Sequence, residues 1–225
     1  MSITFLNRRD AGRQLAVKLQ SCAADPRILV LGLPRGGVPV AYEVARTLHA
    51  PLDVFVVRKL GVPGHRELAM GAIASGGVRV LNTDVINSLR INRDAVESVA
   101  ASELLELERQ QRTYRGAGPL PELAGRTVIV VDDGLATGST MLAAVRALRQ
   151  SDPQRIVAAV PVAAAETVRS LKKEAEVVCL SVPPEFHAVS TWYEDFSQTT
   201  DEEVRNLLEA ASHALESASH AALRL

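Results

Sequence analysis

The stretch TVIVVDDGLATGST, Thr127 to Thr140, decides how the rest of the chain is read. Its first five residues form an apolar run rich in Val and Ile with no polar alternation, the pattern of a strand buried on both faces of a parallel sheet. The strand delivers two carboxylates, Asp132 and Asp133, to its C-terminal end, and a loop of small and hydroxyl residues then opens the helical pattern Met141 to Arg149. In an open α/β sheet that end of the strands is where ligands bind. Free backbone N–H groups over Ala136, Thr137, Gly138, Ser139 and Thr140, with three hydroxyls among them, form a cradle for a phosphate monoester. Adjacent acids repel a phosphate, so they should face hydroxyls or a metal, and a sugar phosphate presents both needs in one molecule. Neither the Gly-Lys-Ser/Thr of a P-loop nor a GxGxxG at the first helix is present, which disfavours nucleoside triphosphates and dinucleotides.

Outward from this stretch, similar apolar runs recur at Ile28 to Leu31, Val54 to Val57, Ile156 to Val160 and Val177 to Leu180. Between them, Val38 to Leu48, Gly138 to Arg149 and Ala163 to Lys173 carry apolar residues at helical spacing. The alternation predicts an α/β fold: a doubly wound, mostly parallel five-stranded sheet flanked by helices. Met70 to Ala74 and Val78 to Leu81, separated by Gly76-Gly77, suggest an added hairpin. Asn92 to Gln111 reads as a long amphipathic helix opened by Asn92 or Asp94, and the Gly- and Pro-punctuated Arg115 to Gly125 as a connector. Thr200 with Glu203 three residues on reads as a capping box. We expect one domain over 1–225, with 58–81 a flexible loop and hairpin and 182–225 a C-terminal hood and helix whose Ala/Ser/His-rich tail has no assigned role.

Composition narrows the class. Lys and Arg total 25 against 26 Asp and Glu, a formal charge of -1, so no general attraction to nucleic acid or membrane is written in, and nucleic acid is not expected as a partner. Apolar residues at 47% exclude global disorder. The longest apolar stretch, Ile156 to Ala165, is far short of the roughly 20 residues of a membrane helix. Cys22 and Cys179 cannot build a disulfide framework or a zinc site alone, and MSITFLNRRD lacks a signal core, so a cytoplasmic setting is expected.

Two further loops belong to the same reading. Ile28 to Leu31 runs into Gly32-Leu33-Pro34-Arg35-Gly36-Gly37, where two glycines let the main chain approach a ligand and Arg35 can fork two bonds to phosphate oxygens. Val54 to Val57 ends in Arg58-Lys59, two cations beside a Gly/Pro-rich segment that could meet a diphosphate and close over it. His65, Arg66 and Glu67 are further candidates there. Four of the eight aromatic residues, Phe186, Trp192, Tyr193 and Phe196, fall within eleven positions. They are either a satellite core or, at Phe186 and Trp192, a stacking wall for a flat acceptor.

VVDDGLATGST, Val130 to Thr140, resembles the motif by which type I phosphoribosyltransferases bind 5-phosphoribosyl-1-pyrophosphate (PRPP). The resemblance implies a Mg²⁺-dependent transfer of the phosphoribosyl group to a nitrogenous base with release of pyrophosphate, in a homodimer. It places Asp132 and Asp133 on the ribose hydroxyls and near the metal, Ala136 to Thr140 on the 5-phosphate, and Arg35, Gly36 and Gly37 in the pyrophosphate loop. Arg58 and Lys59 would lie in the hood-like loop that covers the leaving group. The 6-oxopurine salvage enzymes of that family carry a general-base Asp where this chain has Ala136, so hypoxanthine and guanine are not the expected acceptors. Two alternatives stay open: a non-catalytic PRPP sensor and a sugar-phosphate phosphohydrolase.

Overall fold

The computed structural model describes residues 4–116 and 118–222, with the side chains of 66, 67 and 218–222 outside the description. Along the chain, α1 (Arg8–Lys18) precedes β1 (Ile28–Gly32), α2 (Gly37–Leu48) and the short β2 (Leu52–Val54). Then come β3 (Val57–Val62), β4 (His65–Ala74), β5 (Val78–Leu81), α3 (Thr83–Ser88) and α4 (Arg93–Arg115). The second half runs β6 (Thr127–Val131), α5 (Ser139–Arg149), β7 (Arg155–Val162), α6 (Ala165–Leu171), β8 (Glu176–Ser181) and α7 (Asp201–Ala222).

Five strands form one wholly parallel sheet in the order β2-β1-β6-β7-β8. Residues of β1 and β6 are all buried, and their alternation feeds two cores. Leu29, Leu31, Val128 and Val130 pack with Met141, Val145 and Leu148 of α5 on one face. Ile28, Val30, Ile129 and Val131 pack with Leu15 of α1 and Val40 and Val44 of α2 on the other. The register Gly32↔Val131 sets the tips of β1 and β6 side by side. The chain leaves β1 for β2 on one side, whereas β7 and β8 extend the sheet on the other. The loops after β1 and β6 therefore flank the crevice where strand order reverses, the usual binding position in such sheets.

The apolar run Val54 to Val57 is not one strand. Val54 ends β2 in the parallel sheet, Phe55 and Val56 are buried outside any strand, and Val57 begins β3 of a separate antiparallel sheet, order β3-β4-β5. Ser75 fixes the break, its hydroxyl accepting from the Val56 amide at 2.9 Å while its own amide donates to the Val56 carbonyl at 2.9 Å. The hairpin turns at Gly76 and Gly77, with φ of 84° and 75°. The segment after Arg58, read from its Gly and Pro content as a mobile loop, is instead laddered into β3 and β4, with register irregularities between Leu60 and Val62. α4 covers this sheet through Val96, Ala100 and Leu107, and α7 joins the same core through Val204 and Leu207, packed on α2, α4 and β2.

Helix ends follow local chemistry. Asn92 caps α4, accepting from the Ala95 amide at 2.7 Å, and Thr200 caps α7, accepting from the Glu203 amide at 3.1 Å. α1 was not anticipated from the sequence; Asn7 caps it by accepting from the Asp10 amide at 2.9 Å. Ahead of α1, the Phe5 amide donates to the Trp192 carbonyl, and the Glu194 and Asp195 amides donate to the Phe5 and Leu6 carbonyls, each at 2.9 Å. Residues 5 and 6 thus pair with the segment that follows β8. Among the described residues no helix is long and apolar enough to cross a membrane.

Candidate active site

The loop after β1 packs directly on the tip of β6. The Leu33 amide donates to the Val131 carbonyl at 2.9 Å, and the Gly37 amide to the Leu33 carbonyl at 3.0 Å. A Cβ on Gly36 would lie 2.1 Å from Asp133 Oδ2, and one on Gly37 would lie 2.6 Å from the Val131 carbonyl oxygen and 2.9 Å from Asp132 Cα. The glycine pair is therefore required by the approach of this loop to the acid-bearing strand tip. Arg35 projects from the loop, partly exposed, with a loose 3.9 Å contact to Asp201 at the start of α7. Asp201 also accepts from the Tyr114 hydroxyl at 2.7 Å.

The loop after β6 is braced at two points. The Leu135 amide donates to the Val162 carbonyl and the Ala164 amide to the Leu135 carbonyl, at 2.9 and 3.0 Å. The Thr167 hydroxyl donates to the Ala136 carbonyl. Gly138 takes φ of 67°, and a Cβ there would meet Thr167 Cγ2 at 2.3 Å, so α5 can start only from glycine. The amides of Ala136, Thr137 and Gly138 have no acceptor among the described residues, and the Thr137 and Ser139 hydroxyls stand 3.2 Å apart. They open on a cavity of about 180 Å³ lined by Asp132, Gly134, residues 135–141 and Val189.

The two acids differ in surroundings. Asp132 lines that cavity, and its Oδ1 accepts the Asp133 amide at 2.9 Å. Burial, and then the neighbouring Asp133 carboxylate, push Asp132 well above the ordinary carboxylate range, against the opposing pull of that amide and of Arg8. Asp133 is also raised by burial, but Arg8 opposes the rise, its Nε donating to Asp133 Oδ2 at 2.8 Å. The Tyr193 hydroxyl donates to the Asp133 carbonyl, and burial pushes that phenol upward.

A second, larger cleft of about 660 Å³, within the usual roughly 300–1,000 Å³ of small-molecule sites, is lined by Pro34 of the first loop, Arg58, Lys59 and Gly61 to Gly64, and Val99, Ser102, Glu103 and Gln110 of α4. Thr140 lines both cavities, so they adjoin. The structure thus brings Arg58 and Lys59 to the same crevice as the two loops, although from β3 rather than from the tip of a parallel strand. Arg58 is paired with Glu103, at 2.8 Å from Nε and 2.7 Å from Nη2, while Lys59 is exposed. His65 is exposed beside this cleft, and the side chains of Arg66 and Glu67 lie outside the described residues.

Phe186 and Trp192 are not at the crevice. Both pack on the cluster of Phe5, Ala11, Val162 and Tyr193, where Tyr193 lies 5.4 Å from Phe5 and 5.0 Å from Phe196 between ring centroids. The aromatic concentration is a satellite core that fixes the segment after β8 to the start of the chain, and Val189 is the residue of that segment that reaches the cavity beside Asp132. Sequence reasoning also missed Arg8, Glu103, Thr167 and Tyr193, whose partners lie far away in the chain.

The profile of the phosphoribosyl transferase domain matches residues 6–195, which span both loops and the acid pair. The chain belongs to the phosphoribosyl transferase family. Two Mycobacterium tuberculosis proteins of this family, "Putative phosphoribosyl transferase Rv0571c" of strain H37Rv and "Putative phosphoribosyl transferase MT0597" of strain CDC 1551, are each 48% identical over 209 residues. The match takes in 92% of this chain and 47% of each relative, so the chain spans about half the length of the curated phosphoribosyl transferases it matches. The crystal structure of TT1426 from Thermus thermophilus superposes with a TM-score of 0.81 at 45% identity, covering 92% of this chain and 98% of that one.

Among the described residues, no group of three or more His, Cys, Asp or Glu side chains converges as a metal cage. Two adjacent carboxylates, one of them paired with Arg8, fit instead a hard cation that brings most of its oxygen ligands with a substrate phosphate.

Proposed function

We propose that this phosphoribosyl transferase domain binds PRPP across the two adjoining cavities and transfers its phosphoribosyl group to a nitrogenous base. The observation that carries the reading is the juxtaposition at the β1/β6 crevice. The amides at 136–138 without acceptors among the described residues and two hydroxyls share one cavity with the half-buried Asp132. Pro34 of the loop after β1, Arg58 and Lys59 line the adjoining cleft, which shares Thr140 with the first cavity.

The amides and hydroxyls before α5 would hold the 5-phosphate, aided by the positive end of the helix. Asp132 would accept from ribose hydroxyls and orient the anomeric carbon. In the transfer, the bond from that carbon to the diphosphate oxygen breaks, a bond to the acceptor nitrogen forms, and the acceptor gives up a proton. Positive charge on the sugar and negative charge on the leaving group develop together. Arg35, Arg58 and Lys59 would stabilise the departing diphosphate in a partly dehydrated cleft. A Mg²⁺ ion arriving on the diphosphate and held on the protein side by Asp132 would supply further neutralisation of the leaving group. Ala136 exposes no acid to a base, which supports an acceptor other than hypoxanthine or guanine.

The test is thermal-shift titration with PRPP and Mg²⁺, followed by pyrophosphate detection over a panel of purine and pyrimidine bases. Pyrophosphate release that depends on an added base supports transfer. Tight PRPP binding with no product from any base would make the chain a sensor, and the absence of a PRPP-induced shift would remove the reading.

A further inference from the structure

Arg8 belongs to neither binding loop, yet it makes the closest charged contact with the acid pair. It is the first residue of α1, and its side chain is only 11% exposed. Nε donates to Asp133 Oδ2 at 2.8 Å and Nη1 to the Ser197 carbonyl at 2.6 Å, while the guanidinium lies 3.8 Å over the Phe196 ring. A methyl group placed on Gly36 would fall 2.1 Å from Asp133 Oδ2 and 3.1 Å from Arg8 Nε, so the ion pair lies pressed beneath the pyrophosphate-side loop. With the Tyr193 hydroxyl on its carbonyl, Asp133 is held from the start of the chain and from the segment after β8. Asp132 lines the cavity.

We propose that Arg8 is a positioning residue that neutralises Asp133 and locks it under Gly36, leaving Asp132 as the one carboxylate presented to the sugar. The inference rests on the PRPP reading of the site. Its physical basis is that PRPP is strongly anionic and two uncompensated carboxylates at one strand tip would repel it. A guanidinium that is itself buried, stacked and hydrogen-bonded cancels one of those charges at fixed geometry. A mere brace between segments would not need a cation.

The test compares PRPP affinity, by calorimetry with Mg²⁺, in the parent, Arg8→Ala, Arg8→Lys and the double variant Arg8→Ala with Asp133→Asn. Arg8→Ala should bind about tenfold more weakly, Arg8→Lys within about threefold of the parent, and the double variant should regain most of the loss. A purely structural role would lower the melting temperature without this recovery. Parent-like affinity in Arg8→Ala, or a double variant no tighter than Arg8→Ala, overturns the proposal. Where Arg8→Ala does not fold, Arg8→Gln carries the same comparison. Absence of PRPP binding by the parent sinks the PRPP reading instead. A ligand-free urea-unfolding cycle over Arg8→Ala and Asp133→Asn then decides the clamp, which coupling sustains and strict additivity overturns.

Discussion

Replacing Gly37 with Ala should destabilise the protein although the residue opens a helix. In a helix interior Gly→Ala gains about 0.5–1 kcal/mol. Here the new methyl would lie 2.6 Å from the Val131 carbonyl oxygen, 2.9 Å from Asp132 Cα and 3.1 Å from Asp132 Oδ1. The first two are backbone atoms of the central strand tip and cannot rotate away, so the loop must retreat by about 1 Å, an overpacking that costs about 1–3 kcal/mol. The net loss is about 1–2 kcal/mol, or a fall of about 2–8 °C in melting temperature for a chain of this size. If the loop holds the leaving group as proposed, the same retreat would draw it away, and a misplacement of about 1 Å costs turnover up to about 100-fold. Urea unfolding and base-dependent pyrophosphate release measure the two effects. Gly77→Ala is the control, because φ is 75° there and nothing lies within 4 Å; it should lose about 1 kcal/mol to backbone strain and keep its turnover. A Gly37→Ala protein as stable and as active as the parent would refute the close approach of the two loops.

Asp132→Asn should abolish most PRPP binding yet raise the stability of the ligand-free protein at neutral pH. Burial raises this carboxyl, so the folded state holds its proton more tightly than the unfolded state and stability falls as pH rises through the folded-state range. The stability gain of the variant in urea unfolding should therefore shrink as the pH is lowered toward the ordinary carboxylate range. Arg58→Ala should depress turnover more than ribose 5-phosphate affinity, with a stability cost of at most about 1 kcal/mol from the lost Glu103 pair; unchanged turnover with every accepted base would remove Arg58 from the leaving-group side. Arg115→Met should cost about 3–5 kcal/mol, because the Arg115 and Asp53 side chains are only 11% and 14% exposed and the variant leaves the Asp53 carboxylate without its counter-charge, on the Val54 amide alone. Adding Asp53→Asn should recover part of that loss in the same unfolding assay.

The parallel sheet was legible because its inner strands are buried on both faces. Ile28 to Leu31 and Thr127 to Val131 can be uninterrupted apolar runs only if helices cover both sides, and the acids at the end of the second run mark its tip. The same logic fails at Val54 to Val57. Burial is continuous there while the chain leaves one sheet for another, and apolar character carries no information about a change of direction. α1 was missed because its buried face is made of Ala11, Gly12, Leu15 and Ala16, too small and too sparse to give an amphipathic pattern. The two loops that meet at the tips of β1 and β6 could be picked out from glycine, hydroxyl and charge content alone. Arg8 could not, since it meets Asp133 across 125 positions of sequence, and no local rule links them. Phe186 and Trp192 illustrate the opposite error, in which aromatic density records packing of a terminal segment rather than contact with a ligand.

The pairing of Phe5 with Tyr193 has a consequence for synthesis on the ribosome. A nascent chain that has released only the segment through Arg149 already carries both glycine loops and both acids. Its first residues still have no strand-like partner, and Arg8 has no Phe196 ring or Ser197 carbonyl to rest on. Completion of the crevice is therefore postponed until nearly the whole described fold has emerged, and products that stop before Phe196 should leave the Arg8 guanidinium without its ring and carbonyl contacts.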